Sequence, residues 1–343
     1  MQVNELHQLW QSVQIRVTDE IIRAPEVIHC NGSVIGTLGN FSASTGKAKS
    51  KKTFNVSAIV AAALTNETVL RYTCEFPENK RRVLYFDTEQ SPYHCQKVMR
   101  RILELAKLPL DDHPDNFFFA QLRALTPEMR LVVIEHAIST TPELGLVIID
   151  GVRDLMFDIN NAIESSKLIN KLMEWTDKYQ IHIHTVLHLN KNDDNVRGHV
   201  GTELNNKAEA VLQVSKSQTD DEVTEVSASC IRSMDFPPFA FRINDHGLPE
   251  IASDYVFSKQ TKVKTFSYTE LTESQHREAL EVAFADGDIK GCQVCEDKLK
   301  EAYAKCGHSY GDGKIKKLKT FLTNKRMIER VEGLYRFNPN FHF

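Results

Sequence analysis

The sequence predicts an α/β fold with a mostly parallel central sheet, followed by a small C-terminal domain of helices and a hairpin. Three observations lead there. Apolar, β-branched runs recur as far as Ile251, and helical patterns separate the earlier ones. A lysine-rich turn that opens on a glycine joins one such strand to a helix-forming segment. Finally, the tail reads as three helical stretches and two short alternating runs.

Bulk properties bound the possibilities. At 343 residues the chain exceeds the roughly 100–200 usual for one domain, so two units are expected. A 41% apolar and 26% charged composition is that of a globular protein. No apolar run approaches the ~18 residues needed to span a bilayer, and the N-terminus lacks a basic-then-apolar leader. A cytoplasmic protein without a membrane partner is therefore expected. Cys30, Cys74, Cys95, Cys230, Cys292, Cys295 and Cys306 are odd in number and mostly isolated in apolar stretches, which suits reduced thiols. With a net charge of −4, any contact with nucleic acid must come from local basic patches.

In chain order, strand-like Phe41–Thr45 leads through the lysine-rich turn into helix-forming Phe54–Leu64. Further strands are expected at Val83–Phe86, Phe117–Ala120, Leu146–Ile149, Ile181–Leu187 and Ala210–Val214. Ser91-Pro92 and Thr126-Pro127 each place a capping residue before a proline at the first helical position, and Glu128 adds an acid at the positive helix end. Met129, Val132, Val133, His136 and Ala137 then recur at helical spacing. Strands that alternate with helices imply parallel pairing with crossovers. Past Glu222 two or three strands follow without helices and end near Ile251, and no internal repeat is visible.

Gly46-Lys47-Ala48-Lys49-Ser50-Lys51-Lys52-Thr53 has the spacing of a phosphate-binding loop. Such a loop needs a tight turn with inward amides, a lysine for the β and γ phosphates, and a hydroxyl for Mg²⁺ at the helix start. Gly46, Lys52 and Thr53 occupy those positions, and Lys49, Ser50 and Lys51 complete the candidate nucleotide-binding set. Lys51 departs from the pattern, which has a second glycine there, and fits if its φ is negative and its side chain points outward. A frame based on Gly46-Lys47 fails because residue 48 is alanine. The bland alternative is a basic surface turn. Against it stand Arg82–Gln90, a strand ending in Asp87, Thr88 and Glu89, and Leu144–Asp150, a strand ending in an acid. Carboxyl ends of parallel strands converge on the ligand crevice, where acids reach a metal ion and the attacking water. Apart from Lys52 the site offers mainly acids, so a further cation is expected from a neighbouring subunit.

These residues, with His188–Lys191, Arg197–Lys207 and Arg232, resemble the RecA/DnaB superfamily. The nearest likeness is to plasmid RepA-like ring ATPases, particularly a branch on bacterial mobilizable elements, over about residues 30–250. The resemblance implies a RecA-like P-loop NTPase fold and Mg²⁺ with ATP as cofactor. Lys52 and Thr53 would hold phosphates and metal, Glu89 would be the base acting on water, and Asp150 would be the Walker B acid. His188 would sense the γ-phosphate. Lys207 stands where RepA-like proteins carry an arginine finger, keeping the charge but losing the planar fork. Arg232 lies near the basic pair that DnaB-like rings insert into a neighbour's site. The polar loop Lys191–Gly201, with Lys191 and Arg197, falls where RecA-like motors contact DNA. The implied partners are single-stranded DNA, further copies of the chain in a hexameric ring, and a primase or other replication protein. The dull alternatives are helix caps for Asp87 and Glu89, a core histidine, ordinary surface cations and a solvated connection.

Glu273–Phe284, Val294–Ala304 and Lys314–Leu322 read as three helices, and Met327–Val331 with Leu334–Phe337 as a hairpin around Glu332-Gly333. That order resembles a winged helix. Ile315, Leu318, Phe321 and Leu322 form an apolar face on the third helix, while Lys314, Lys316, Lys317 and Lys319 could meet phosphates, Lys316 and Lys317 foremost. Cys292-x-x-Cys295 with Cys306-x-His308 has a zinc-like spacing, but the cysteines run through a helical pattern, so no metal is expected there. The organisation read from sequence is an N-terminal flank 1–30, a RecA-like ATPase domain 31–252, a linker 253–270 and a winged-helix-like domain 271–343. Two function classes follow: a ring ATPase moving on single-stranded DNA, as a helicase or mobilization and replication motor, or an ATP-regulated DNA-binding adaptor with little translocation.

Overall fold

A computed structural model describes residues 3–189, 198–257, 268–269, 271–331 and 333–341. Contacts divide the chain into two units, Met1–Val256 and Phe257–Phe343. The first opens with α1 (Val3–Ser12), β1 (Glu26–Cys30), β2 (Ser33–Thr37), β3 (Phe41–Gly46), α2 (Lys52–Thr65), β4 (Thr68–Val69) and β5 (Tyr72–Cys74). It continues with β6 (Arg82–Asp87), α3 (Pro92–Leu105), β7 (Phe117–Gln121), α4 (Pro127–Thr140), β8 (Leu144–Asp150), α5 (Ala162–Tyr179) and β9 (His182–His188). It closes with α6 (Gly198–Lys207), β10 (Ala210–Lys216), β11 (Thr224–Ile231), β12 (Phe239–Ile243) and β13 (Pro249–Ile251).

The central sheet has nine strands in the order β13-β12-β11-β10-β3-β9-β8-β6-β7. From β10 to β7 every pairing is parallel, and β11, β12 and β13 extend the sheet antiparallel. Strands covered on both faces need continuous apolar runs. Leu146, Val147, Ile148 and Ile149 of β8 are accordingly all buried. Helix α2 is apolar on every side and buries Val56 through Leu64 without a break, so it runs through the interior. A second sheet, β2-β1-β5-β4, packs beside it. Val27, Ile28 and Cys30 of β1 belong to that core. Residues 26–30, which the sequence assigns to an N-terminal flank, are therefore part of the folded domain.

Two local expectations need correction. Thr126 caps α4 through the Met129 amide, but Ser91 makes no side-chain cap bond at α3 and pairs with His94 instead. In α4 the buried residues are Ile134 and Ile138, whereas Met129 and Val132 are exposed. The helix carries apolar residues on most of its circumference, so helical spacing selected the wrong stripe.

The second unit comprises α7 (Glu273–Ala283), β14 (Ile289–Lys290), α8 (Cys292–Lys305), α9 (Asp312–Asn324), β15 (Ile328–Val331) and β16 (Leu334–Phe337). Its strands form an antiparallel sheet β14-β16-β15. Ile315, Leu318 and Leu322 turn the apolar face of α9 into a core with Leu280, Leu299 and Tyr303. Lys316 and Lys317 are exposed on the other side. Lys319 is not: it is largely enclosed and ion-paired with Glu296, beside the Cys292 thiol. Cys295 is turned into the core, and among the described residues no three metal-binding side chains come together.

Candidate active site

Strand β3 sits between β9 and β10, so its carboxyl end opens at the middle of the sheet. The chain leaves it at Gly46. A Cβ there would stand 2.2 Å from the Val214 carbonyl oxygen and 2.5 Å from Ser50 Oγ, so only glycine fits. Lys49 and Lys51 both have φ of +63°, in the left-handed region. The expected negative φ at Lys51 is thus overturned: the lysine takes the backbone conformation of the glycine it replaces, at a cost of roughly 1 kcal/mol. Its side chain does lead away from the loop, where Nζ donates to the Glu222 carbonyl at 2.7 Å. Ser50 Oγ is buried without a hydrogen-bond partner among the described residues. Such an orphan inside a turn at a helix N-terminus suits a phosphate oxygen.

Lys52 is buried, and its Nζ donates to the carbonyls of Gly46 and Lys47, each at 2.9 Å, and to His188 Nδ1 at 3.1 Å. Burial lowers its pKa to about 8, against the pull of Asp150 and Glu89. Thr53 Oγ1 donates to Asp150 Oδ2 at 3.1 Å. Neighbouring ligands of an octahedral Mg²⁺ with bonds of about 2.1 Å stand about 3 Å apart, so this pair fits the ion. Asp150 also accepts from Tyr85 Oη at 2.8 Å. Burial and the nearby Asp87 raise its carboxyl to about 6.

Strands β6 and β8 pair in register, with Asp87 opposite Asp150. Asp87 faces inward and accepts from the amides of Glu89 and Gln90 and the Gln90 side chain, so it shapes the turn that aims Glu89. Burial nevertheless pushes its carboxyl upward. Glu89 Oε1 is 3.4 Å from His188 Nε2, and this partner, with Lys52 and Arg153, holds the carboxyl below the usual range. The six sequence-derived positions Lys52, Thr53, Asp87, Glu89, Asp150 and His188 line one cavity of about 280 Å³, together with Lys49, Ser50 and Lys51. Its walls also include Lys97 and Arg101, so the expectation of a site short of cations beyond Lys52 is corrected.

Sequence reading missed the residues that brace the site. Thr88 Oγ1 lies within 3.1 Å of the carbonyls of Asp150 and Gly151 and 2.8 Å from an Asp154 carboxylate oxygen. The Arg130 guanidinium reaches the carbonyls of Thr88, Leu122, Arg123 and Asp154. Nothing in a lone threonine or arginine announces such a role.

Lys207 and Arg232 lie elsewhere. Ala210 pairs with Ser42 and with Ile231, so both cations flank the amino end of β3. Arg232 donates to the Lys207 carbonyl at 2.8 Å, and its amide to the Glu209 carbonyl. Four residues of strand separate Ser42 from Gly46, about 13 Å. The two cations are therefore absent from the cavity lining. Lys191 and Arg197 lie outside the described residues. Lys316 and Lys317 line a separate cavity of about 440 Å³ in the second unit.

A family model described as an AAA domain matches residues 27–194. The domain is a P-loop NTPase of the AAA type. The matched span of the AAA-type domain holds Gly46–Thr53, Glu89, Asp150 and His188, and stops before Lys207 and Arg232. No curated protein matches the chain. Among the described residues no helix is long and apolar enough to cross a membrane.

Proposed function

We propose that this chain is an ATP-hydrolysing nucleic-acid motor that works as a ring, in the manner of RepA- and DnaB-like helicases or mobilization and replication ATPases of mobile elements. Lys52, with the loop Gly46–Lys51, binds the phosphates, and Thr53 and Asp150 hold Mg²⁺, which neutralises phosphate charge. Glu89 accepts the proton of the attacking water. His188 links Glu89 to Lys52 and so relates water activation to the occupant of the loop. Lys207 and Arg232 complete the site of the next copy.

The observation that carries the ring is their position. Both cations flank the strand end remote from the P-loop, so neither serves its own subunit's cavity. A cation supplied in trans contributes on the order of 10³–10⁵ in rate. The deciding measurement is steady-state ATP turnover with and without single-stranded DNA, alongside the mass of the active species. Mixing Lys52→Ala protein with Lys207→Ala or Arg232→Ala protein should restore part of the turnover, because one mixed interface pairs an intact loop with an intact cation. A fully active monomer at every dilution removes the ring.

The exposed Lys316 and Lys317 of α9 favour a second reading, an ATP-regulated adaptor whose winged-helix-like unit binds duplex DNA. Tight site-specific duplex binding with slow, DNA-independent turnover would select it.

A further inference from the structure

Strands β3 and β9 lie in the middle of the sheet, yet Ser42, Ser44, His182 and His184 are all fully buried there. Apolar side chains would pack such a position at lower cost. The four side chains instead form an unbroken hydrogen-bonded line whose direction one atom dictates. His182 Nδ1 faces the Thr37 carbonyl oxygen at 3.0 Å, which only accepts, so the proton sits on Nδ1. Burial keeps both rings neutral, with His184 lowered to about 3. His182 Nε2 is therefore bare and accepts from Ser42 Oγ at 2.7 Å. Ser42 Oγ then accepts from His184 Nδ1 at 2.8 Å, and His184 Nε2, left bare, accepts from Ser44 Oγ at 2.9 Å. Beyond Ser44 comes Asn55 Nδ2 at 3.5 Å, and Asn55 Oδ1 accepts from Tyr72 Oη at 2.8 Å. Gly36 makes room for the line, because a Cβ there would stand 2.9 Å from the His182 ring.

The two ends of this line coincide with the two parts of the proposed motor. Asn55 lies two residues after Thr53 on the P-loop helix. At the other end Thr37 donates its amide and hydroxyl to the Glu209 carboxylate, at 2.8 and 3.0 Å. Glu209 follows Lys207 by two residues, and its carbonyl receives the Arg232 amide. We propose that Ser42, His182 and His184 are positioning residues that hold the segment carrying Lys207 and Arg232 in fixed register with the P-loop helix. This inference rests on the trans role of those cations. A line in which each group has one possible orientation resists displacement at either end, because moving one member orphans the next.

The test compares Ser42→Ala/His184→Leu, which replaces the line with apolar groups of similar size, with His184→Gln, whose amide still donates and accepts. The double variant should keep its melting temperature and its ATP dissociation constant within threefold, yet lose about tenfold in turnover, and His184→Gln should recover most of that loss. Wild-type turnover in a folded double variant overturns the proposal, as does an equal loss in both variants. If the double variant does not fold, Ser42→Ala alone is compared with His184→Gln by the same criteria. Hydrogen positions give a readout independent of hydrolysis. In ¹⁵N-histidine-labelled protein both rings should carry the proton on Nδ1, and amide exchange at Lys207–Glu209 should accelerate at least tenfold in the double variant. A proton on Nε2 of either ring, or unchanged exchange, sinks the inference. Absence of turnover in the wild-type protein would instead count against the motor reading alone.

Discussion

Lys52 Nζ donates to His188 Nδ1 at 3.1 Å, which leaves the proton of the neutral ring on Nε2, facing Glu89 Oε1 at 3.4 Å. The histidine thereby joins a residue suited to phosphate with one suited to water. Removing it should leave nucleotide binding nearly intact and mis-set Glu89. A hydrogen bond to a charged group is worth about 1.5–3 kcal/mol, or roughly 10–100-fold in rate. His188→Ala should lose turnover by that factor with the ATP dissociation constant changed less than threefold. His188→Gln, which retains an acceptor and a donor, should lose less. Turnover at the wild-type rate in His188→Ala would show that the ring is only a spacer.

Lys52 and Glu89 should separate cleanly. Lys52→Ala removes the charge nearest the loop carbonyls and should abolish ATP binding or hydrolysis. Glu89→Gln should bind ATP and fail to turn it over, since the residue stands at a different strand end. Equilibrium binding and single-turnover hydrolysis check both, and normal turnover by both variants refutes the site. Impairment by Lys47→Ala with an unaffected Lys52→Ala would move the loop frame.

Asp150 gives a pH test with a definite sign. Its carboxyl is raised from 3.8 to about 6 by burial and by Asp87, so the nucleotide-free protein gains most from the protonated form. That contribution is complete below the unfolded value and is lost as pH rises through about 6. Asp150→Asn should therefore stabilise the nucleotide-free protein at pH 8 by on the order of 2 kcal/mol, with the advantage fading toward pH 4. Thermal melts at both pH values decide this. Mg²⁺ competes with the same proton, so the apparent Mg²⁺ affinity of the ATP complex should rise with pH through that range. A pH-independent gain in the variant would contradict the assignment.

Gly46 and Lys51 should respond in opposite ways. Gly46→Ala forces a Cβ onto the Val214 carbonyl and should eliminate ATP binding. Lys51→Gly relieves a left-handed lysine but gives up the bond to Glu222, so stability should change by less than about 1 kcal/mol and ATP binding should persist. Calorimetric titration with ATP checks both. Loss of binding in Lys51→Gly would mean that the lysine contacts nucleotide directly.

Much of the site was legible because its chemistry depends on spacing. Gly46, Lys52 and Thr53 stand at fixed intervals in a strand-turn-helix, and Glu89 and Asp150 end apolar strands, so order alone brings them together. The positive φ of Lys51 was not legible, since a lysine carries no sign that its backbone is left-handed. The buried face of α4 was hidden by an excess of apolar residues. The Ser42–His184 line was hidden by the opposite problem. Polar residues inside a strand pattern normally mark an outward face, and only the pairing of β3 with β9 shows that these have no outside to face. Lys319 looked like its neighbours until Glu296 on another helix claimed it.

Thr88 and Arg130 divide the site mechanically. By tying the β6 and β8 ends to each other and to the turns after them, they make the wall that bears Glu89 and Asp150 one stiff plate. His188, by contrast, belongs to β9 on the far side of that plate and meets it only through side-chain contacts. Strain produced when the loop fills or empties is therefore released along the seam between β9 and β3. The strand ends that carry the two acids stay where they are, and the displacement is handed to the chain that continues beyond His188.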